Sequence, residues 1–104
     1  MRESDLEKQL VRKVKSKGGL CMKFVSPGLR GVPDRVILFP VNKVVFVEMK
    51  APKGKLRKQQ ILRLNQFTDL GAICYVIDSE EKIDILIEEL ETWNLKHMYT
   101  KREL

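Results

Sequence analysis

The chain has 104 residues, 43% of them hydrophobic and 33% charged, which suffices for one small core, leaves no length for a second ordinary domain and excludes wholesale disorder. No apolar run approaches the roughly 18 residues that a membrane span requires, and Met1-Arg2-Glu3-Ser4-Asp5 lacks the apolar segment of a signal peptide, so the expectation is a cytoplasmic protein with no membrane partner. The net charge of +6 is uneven: residues 1–63 carry 16 Lys or Arg against 5 Asp or Glu, whereas residues 64–104 carry 4 against 9. The first part suits a polyanion, because neutralising phosphates releases counterions. Cys21 and Cys74 are too few for a disulfide framework and lie inside apolar runs, which reads as two small buried hydrophobes.

The spacing of Leu6, Leu10, Val11 and Val14 predicts a helix over residues 3–17, stopped by Gly18-Gly19. At about 100° per residue, Glu3 and Glu7 fall on its apolar stripe. A carboxylate there needs a compensating cation or donor. Glu3 can fray into solvent at the terminus, but Glu7 has Leu10, Val11 and Val14 ahead of it on its own side. A strand follows at residues 20–25, then a turn-rich loop from Ser26 to Pro33. Val36–Phe39 and Lys43–Lys50 read as two strands joined through Pro40-Val41-Asn42, a hairpin near the centre of a sheet. A second helix is predicted over residues 57–70, ended by Gly71, and a fourth strand over 72–77. Asp78 with Glu81 resembles a capping box opening a third helix that runs to about Trp93, with Ile83, Leu86, Ile87 and Leu90 inward. The core is thus expected over residues 3–91 of a single domain, 1–104, with 92–104 a polar C-terminal tail. The order αβββαβα describes an α/β fold, a mixed central sheet flanked by helices. Strands three and four flank helix two as in a βαβ crossover.

The chemistry gathers at one end of the hairpin. Glu48 and Lys50 are two apart on strand three and share a face. Asp34 opens strand two, and antiparallel pairing brings the start of that strand to the end of strand three. The charges of strand three's C-terminal end appear only after Val44-Val45-Phe46-Val47. Two carboxylates beside an ammonium suit a hard divalent cation, which needs few protein oxygens when water and phosphate complete its shell. The same residues also suit a strand-end ion pair, Glu48 with Lys50 or Asp34 with Arg35, and residue pattern alone weighs the two evenly. Gln60 shares an angular sector with Leu56, Leu64 and Phe67, so it faces the sheet, where a buried amide needs partners. Gln59 points about a quarter-turn away, since helical residues advance by about 100°.

Gly31-Val32-Pro33-Asp34, then Phe46-Val47-Glu48-Met49-Lys50, then Gln60 in Leu56-Arg57-Lys58-Gln59-Gln60, resemble the PD-(D/E)XK nuclease superfamily and, within it, the small stand-alone VRR-NUC type of phages and bacteria. The resemblance spans about residues 3–78 and implies a restriction-endonuclease-like core, a divalent metal such as Mg²⁺ or Mn²⁺, and DNA as substrate in a bacterial or phage-infected cell. It implies Asp34, Glu48 and the backbone carbonyl of Met49 as metal ligands and Lys50 as the catalytic lysine. Gln60 is then the motif glutamine, and Glu7 the helix-one acid that completes the metal site, directly or through a metal-bound water, with Glu3 as the competing choice. It further implies a homodimer cutting branched DNA such as four-way (Holliday) junctions.

Lys53-Gly54-Lys55-Leu56-Arg57-Lys58 is the densest basic cluster and directly follows Lys50. Lys53, Lys55, Arg57 and Lys58 are expected to grip backbone phosphates, with Lys23, Arg30 and Arg35 extending the surface. The phenylalanines lie in core patterns, so recognition by shape and phosphate is expected rather than base readout. The alternatives are a non-catalytic nucleic-acid-binding module on the same basic face, and a protein-interaction domain whose charge serves solubility alone.

Overall fold

The computed structural model describes residues 1–104. Its elements are α1 (Glu3–Ser16), β1 (Leu20–Lys23), β2 (Arg35–Phe39), β3 (Lys43–Met49), α2 (Lys58–Asp69), β4 (Cys74–Ile77) and α3 (Glu80–Thr92), in the expected order. The four strands form one sheet in the order β1-β2-β3-β4. β1 and β2 pair antiparallel, as do β2 and β3, whereas β3 and β4 pair parallel across the α2 crossover. No helix is long and apolar enough to cross a membrane.

Alternation along β3 divides the molecule into three layers. Val45, Val47 and Met49 are fully buried with Leu6, Leu10 and Val14 of α1 and Ile83, Leu86 and Leu90 of α3. Phe46 instead joins Leu64 and Phe67 of α2, with Cys74, Val76 and Tyr99. The first cluster is the larger because two helices cover that face; removing one of its leucine side chains costs about 2–5 kcal/mol. Cys21 and Cys74 are free, and burial pushes their thiols up to about 11 and about 12, so both remain neutral packing groups.

The β2–β3 hairpin turns through Val41 and Asn42, both in the left-handed region at φ 66° and 57°. Together with Pro40 they form the three-residue connection between the paired Phe39 and Lys43. α3 does not start on the Asp78–Glu81 box. Ser79 is the N-cap, its Oγ accepting from the Lys82 N–H at 3.2 Å, while Asp78 pairs with the Lys82 ammonium at 3.0 Å. The polar tail packs back on the sheet. Tyr99 donates its N–H to the Cys74 carbonyl at 2.7 Å and its hydroxyl to Asn65 Oδ1 at 2.6 Å. Arg102 N–H also donates to that oxygen, and the Asn65 amide donates to the Arg102 carbonyl.

Candidate active site

Asp34 and Glu48 are brought together by hairpin register. Arg35 pairs with Val47, so the next pair outward is Asp34 opposite Glu48. Phe46 and Lys50 direct their N–H groups to Ile73 and Ile77 on the β4 side; the odd residues of β3 therefore bond to β2. Asp34 and Glu48 thus occupy a non-hydrogen-bonded position, where antiparallel side chains approach most closely. One step further, Pro33 stands opposite Met49 and has no N–H to give. The ladder ends there, and the Asp34 carboxylate replaces it: its Oδ2 accepts from the Met49 N–H at 2.8 Å. The sequence Pro33-Asp34 thus both ends the ladder and fixes the orientation of the first carboxylate.

Glu48 is only 2% exposed. The Gln60 amide donates to its Oε2 at 2.9 Å, while Gln60 Oε1 accepts from the Arg57 N–H, also at 2.9 Å. Gln60 therefore closes the first turn of α2 and ties that helix to the sheet, which satisfies the amide its apolar sector predicted. The Lys50 ammonium lies 3.9 Å from the same carboxylate oxygen. Burial, then the charge of Asp34, raises Glu48 from 4.5 to about 8; Lys50 opposes this, and a hydrogen bond with Asp34 and the charge of Glu3 add to it. Near neutral pH Glu48 accordingly holds a proton against Asp34. The strand-end ion-pair reading is thereby weakened. The Glu48–Lys50 contact is long and does not keep Glu48 ionised, and Arg35 turns away from Asp34.

Arg35 Nε instead donates to Glu7 Oε1 at 3.2 Å. Both lie on the α1 side of the sheet, beside Cys21, whose thiol responds to the charges of Arg35 and Glu7. Glu7 thus has the cation its place on the apolar stripe required. Glu3 is exposed in the first turn of α1, and its charge bears on Glu48.

Lys53, Lys55 and Arg57 are exposed in the loop leading from Lys50 into α2, and Lys58 is exposed at the start of that helix. The loop's turn is closed by the Gly54 N–H on the Ala51 carbonyl at 2.8 Å. Lys23 and Arg30 are exposed too, whereas Arg35 is engaged by Glu7. Two positioning interactions escaped the sequence reading. Gly31, at φ +77°, presses against α2 so closely that a Cβ would stand 2.6 Å from the Gln59 carbonyl oxygen. Arg63 Nε donates to the Arg30 carbonyl at 2.7 Å. α2 therefore holds both Glu48, through Gln60, and the loop that delivers Asp34. The available signal was Gly31 itself, a turn former three residues before the aspartate.

No three His, Cys, Asp or Glu side chains converge to enclose a metal ion. The donor set is a carboxylate pair flanked by a backbone carbonyl and a lysine. It fits a cation that takes one or two carboxylates and fills its shell with water and phosphate oxygens; a soft metal requiring thiolate or imidazole has no ligands here.

A layered α/β domain with a buried acidic pair at the end of its central hairpin, an ammonium beside it and a basic loop leading away defines a phosphate-handling class of protein. Residues 1–81 match the family model of the VRR-NUC domain, and the chain belongs to that family. It is 44% identical over 86 residues to "Putative nuclease p44" of Acyrthosiphon pisum secondary endosymbiont phage 1, covering 83% of this chain and 92% of the relative. It is also similar to a solved structure described as a VRR_NUC domain, with a TM-score of 0.77 and 30% identity, covering 83% of this chain and 94% of that one.

Proposed function

We propose that this chain is a metal-dependent DNA endonuclease that hydrolyses backbone phosphodiesters at the Asp34–Glu48–Lys50 cluster, as the PD-(D/E)XK resemblance implies. The carrying observation is the strand register that sets the buried Glu48 carboxyl opposite Asp34, with the Lys50 ammonium 3.9 Å from Glu48. Such a pair is electrostatically unfavourable when both groups ionise, and a divalent cation reverses the balance. Asp34, Glu48 and the Met49 carbonyl, which Pro33 cannot reach with a donor, are the proposed ligands for Mg²⁺ or Mn²⁺. When bound, such an ion polarises the phosphate and lowers the pKa of water.

The protein's own groups have distinct tasks. The Met49 N–H fixes Asp34, and Gln60 fixes one oxygen of Glu48. Lys50 offers its ammonium to the attacking water or to charge developing on the phosphate. Lys53, Lys55, Arg57 and Lys58, with Lys23 and Arg30, hold flanking phosphates, which positions DNA without reading its sequence. Of the helix-one acids, Glu7 acts through Arg35 on the frame of β2, while Glu3 supplies negative charge toward Glu48. Cleavage of branched DNA such as four-way junctions by a homodimer extends this reading, since one active site per chain needs two subunits for paired cuts.

The test is incubation of duplex, single strand, flap, splayed-arm and four-way-junction DNA with Mg²⁺, Mn²⁺ or EDTA. Cleavage with either metal and none in EDTA is expected, with branched DNA cut fastest. Salt-dependent binding with no cleavage under any condition would establish the non-catalytic module instead.

A further inference from the structure

Beyond Lys50, on the side away from β2, a cleft of about 790 Å³ lies along the outer edge of β4. The carbonyls of Ile73, just before β4, and of Ile77 at its end serve β3, so the backbone groups of the even residues face outward. The C-terminal segment uses one of these, the Cys74 carbonyl, through the Tyr99 N–H. Val76, next along the edge, lines the cleft with Leu56, Ile85 and Met98. Lys55 and Arg102 stand among these apolar groups as cations, while Lys82 is neutralised by Asp78. The wall formed by the tail is anchored. The His97 N–H donates to the buried Glu89 carboxylate at 3.0 and 3.1 Å, and Asn65 holds Tyr99 and Arg102.

We propose that this cleft receives an unpaired nucleotide of the strand being cut, next to the scissile phosphate. The inference rests on the nuclease reading above and adds to it the feature that selects the substrate. Lys50 lines both the cleft and the acidic pair, so a strand leaving the one enters the other. The volume falls within the roughly 300–1,000 Å³ that encloses small organic ligands; it accommodates a nucleotide and excludes a duplex. Apolar side chains suit the face of a base, the edge groups of Val76 suit its polar rim, and Lys55 and Arg102 suit the phosphates on either side. A base at a branch point or free end enters at little cost, whereas one inside a duplex must first be unpaired and unstacked. Preference for interrupted DNA then arises from one subunit's cleft.

The test uses the full chain in EDTA, where binding is separated from cleavage. Affinities for a splayed-arm DNA and for the same sequence fully paired are compared by fluorescence anisotropy, and 4-thiothymidine at the unpaired position maps the binding site by photo-crosslinking. Wild type is expected to prefer the splayed DNA by about tenfold, with crosslinks on the segment around Met98. Met98→Trp, which fills the cleft from an exposed position, and Arg102→Glu are each expected to lower splayed-DNA affinity about tenfold. Equal affinity for the two DNAs, or crosslinks confined to the β1–β2 loop, overturns the cleft assignment while leaving the nuclease reading standing. No binding to either DNA also overturns the cleft assignment, and cleavage with Mg²⁺ or Mn²⁺ decides the nuclease reading separately.

Discussion

Replacing Glu48 with Gln isolates the cost of burying an ionisable carboxyl beside Asp34. In the unfolded chain this carboxyl releases its proton near 4.5, and in the folded protein near 8. Below pH 4.5 both states hold the proton and the pair carries no penalty. As pH rises from 4.5 to 8 the unfolded chain releases it and the folded protein does not, so folding weakens progressively; above 8 the penalty is constant. At about 1.4 kcal/mol per pH unit, the full loss is at most about 5 kcal/mol, comparable with the whole stability of a small domain. Gln reproduces the protonated shape: its carbonyl accepts from Gln60 and its amide faces Asp34. The assay is urea unfolding of both proteins in EDTA at pH 5, 7 and 9. The stability difference between variant and wild type is expected to grow in the variant's favour from pH 5 to about pH 8 and to level off by pH 9. Excess Mg²⁺ is expected to stabilise wild type most at high pH and the variant little. A difference that stays flat across this range means that neither burial nor Asp34 raises the proton affinity of Glu48 in the folded protein.

Lys50→Ala is expected to abolish cleavage while DNA affinity, measured by anisotropy, falls less than threefold, because the loop cations remain; undiminished turnover removes Lys50 from the chemistry. Replacing Lys53, Lys55, Arg57 and Lys58 together by Ala is expected to weaken binding to every DNA shape and to flatten the dependence of affinity on salt, by about 0.9 in the log–log slope for each phosphate left without its cation. An effect confined to one base sequence contradicts that role. Glu3→Gln is expected to lower the proton affinity of Glu48 and so to flatten wild type's stability loss between pH 5 and 9, whereas Glu7→Gln leaves that slope intact and lowers stability throughout by freeing Arg35. The reverse pattern exchanges the two roles.

Much of the site is legible in the residues because short-range rules fix it. The Val-rich run of β3 and its two-residue periodicity put Glu48 and Lys50 on one face, and the short turn at Val41-Asn42 sets the register that opposes Asp34 to Glu48. Gln60 is found by its angular sector on α2. What escapes depends on partners distant in sequence. Glu7 lies on the apolar stripe, but nothing local names Arg35 as the cation that meets it. Alternation does separate Arg35 from Asp34, since Arg35 shares the face of Ile37 and Phe39. Asp78 and Ser79 are both good helix caps, and adjacent candidates cannot be ranked by spacing; backbone geometry selects Ser79. The tail shows no helical or strand periodicity, yet the Tyr99 N–H binds it to the β4 edge and Asn65 binds it to α2. The cleft exists only because of that packing, so no motif announces it.

If the nuclease reading holds, Asp34 and Glu48 share a divalent cation with the Met49 carbonyl. Anomalous scattering from a crystal soaked in Mn²⁺ locates such an ion without recourse to activity. A manganese peak is expected between the two carboxylates, within coordination distance of the Met49 oxygen, and is expected to vanish in Asp34→Ala. A map with no peak there, with the two carboxyl groups still side by side, rules out metal-dependent chemistry at this pair.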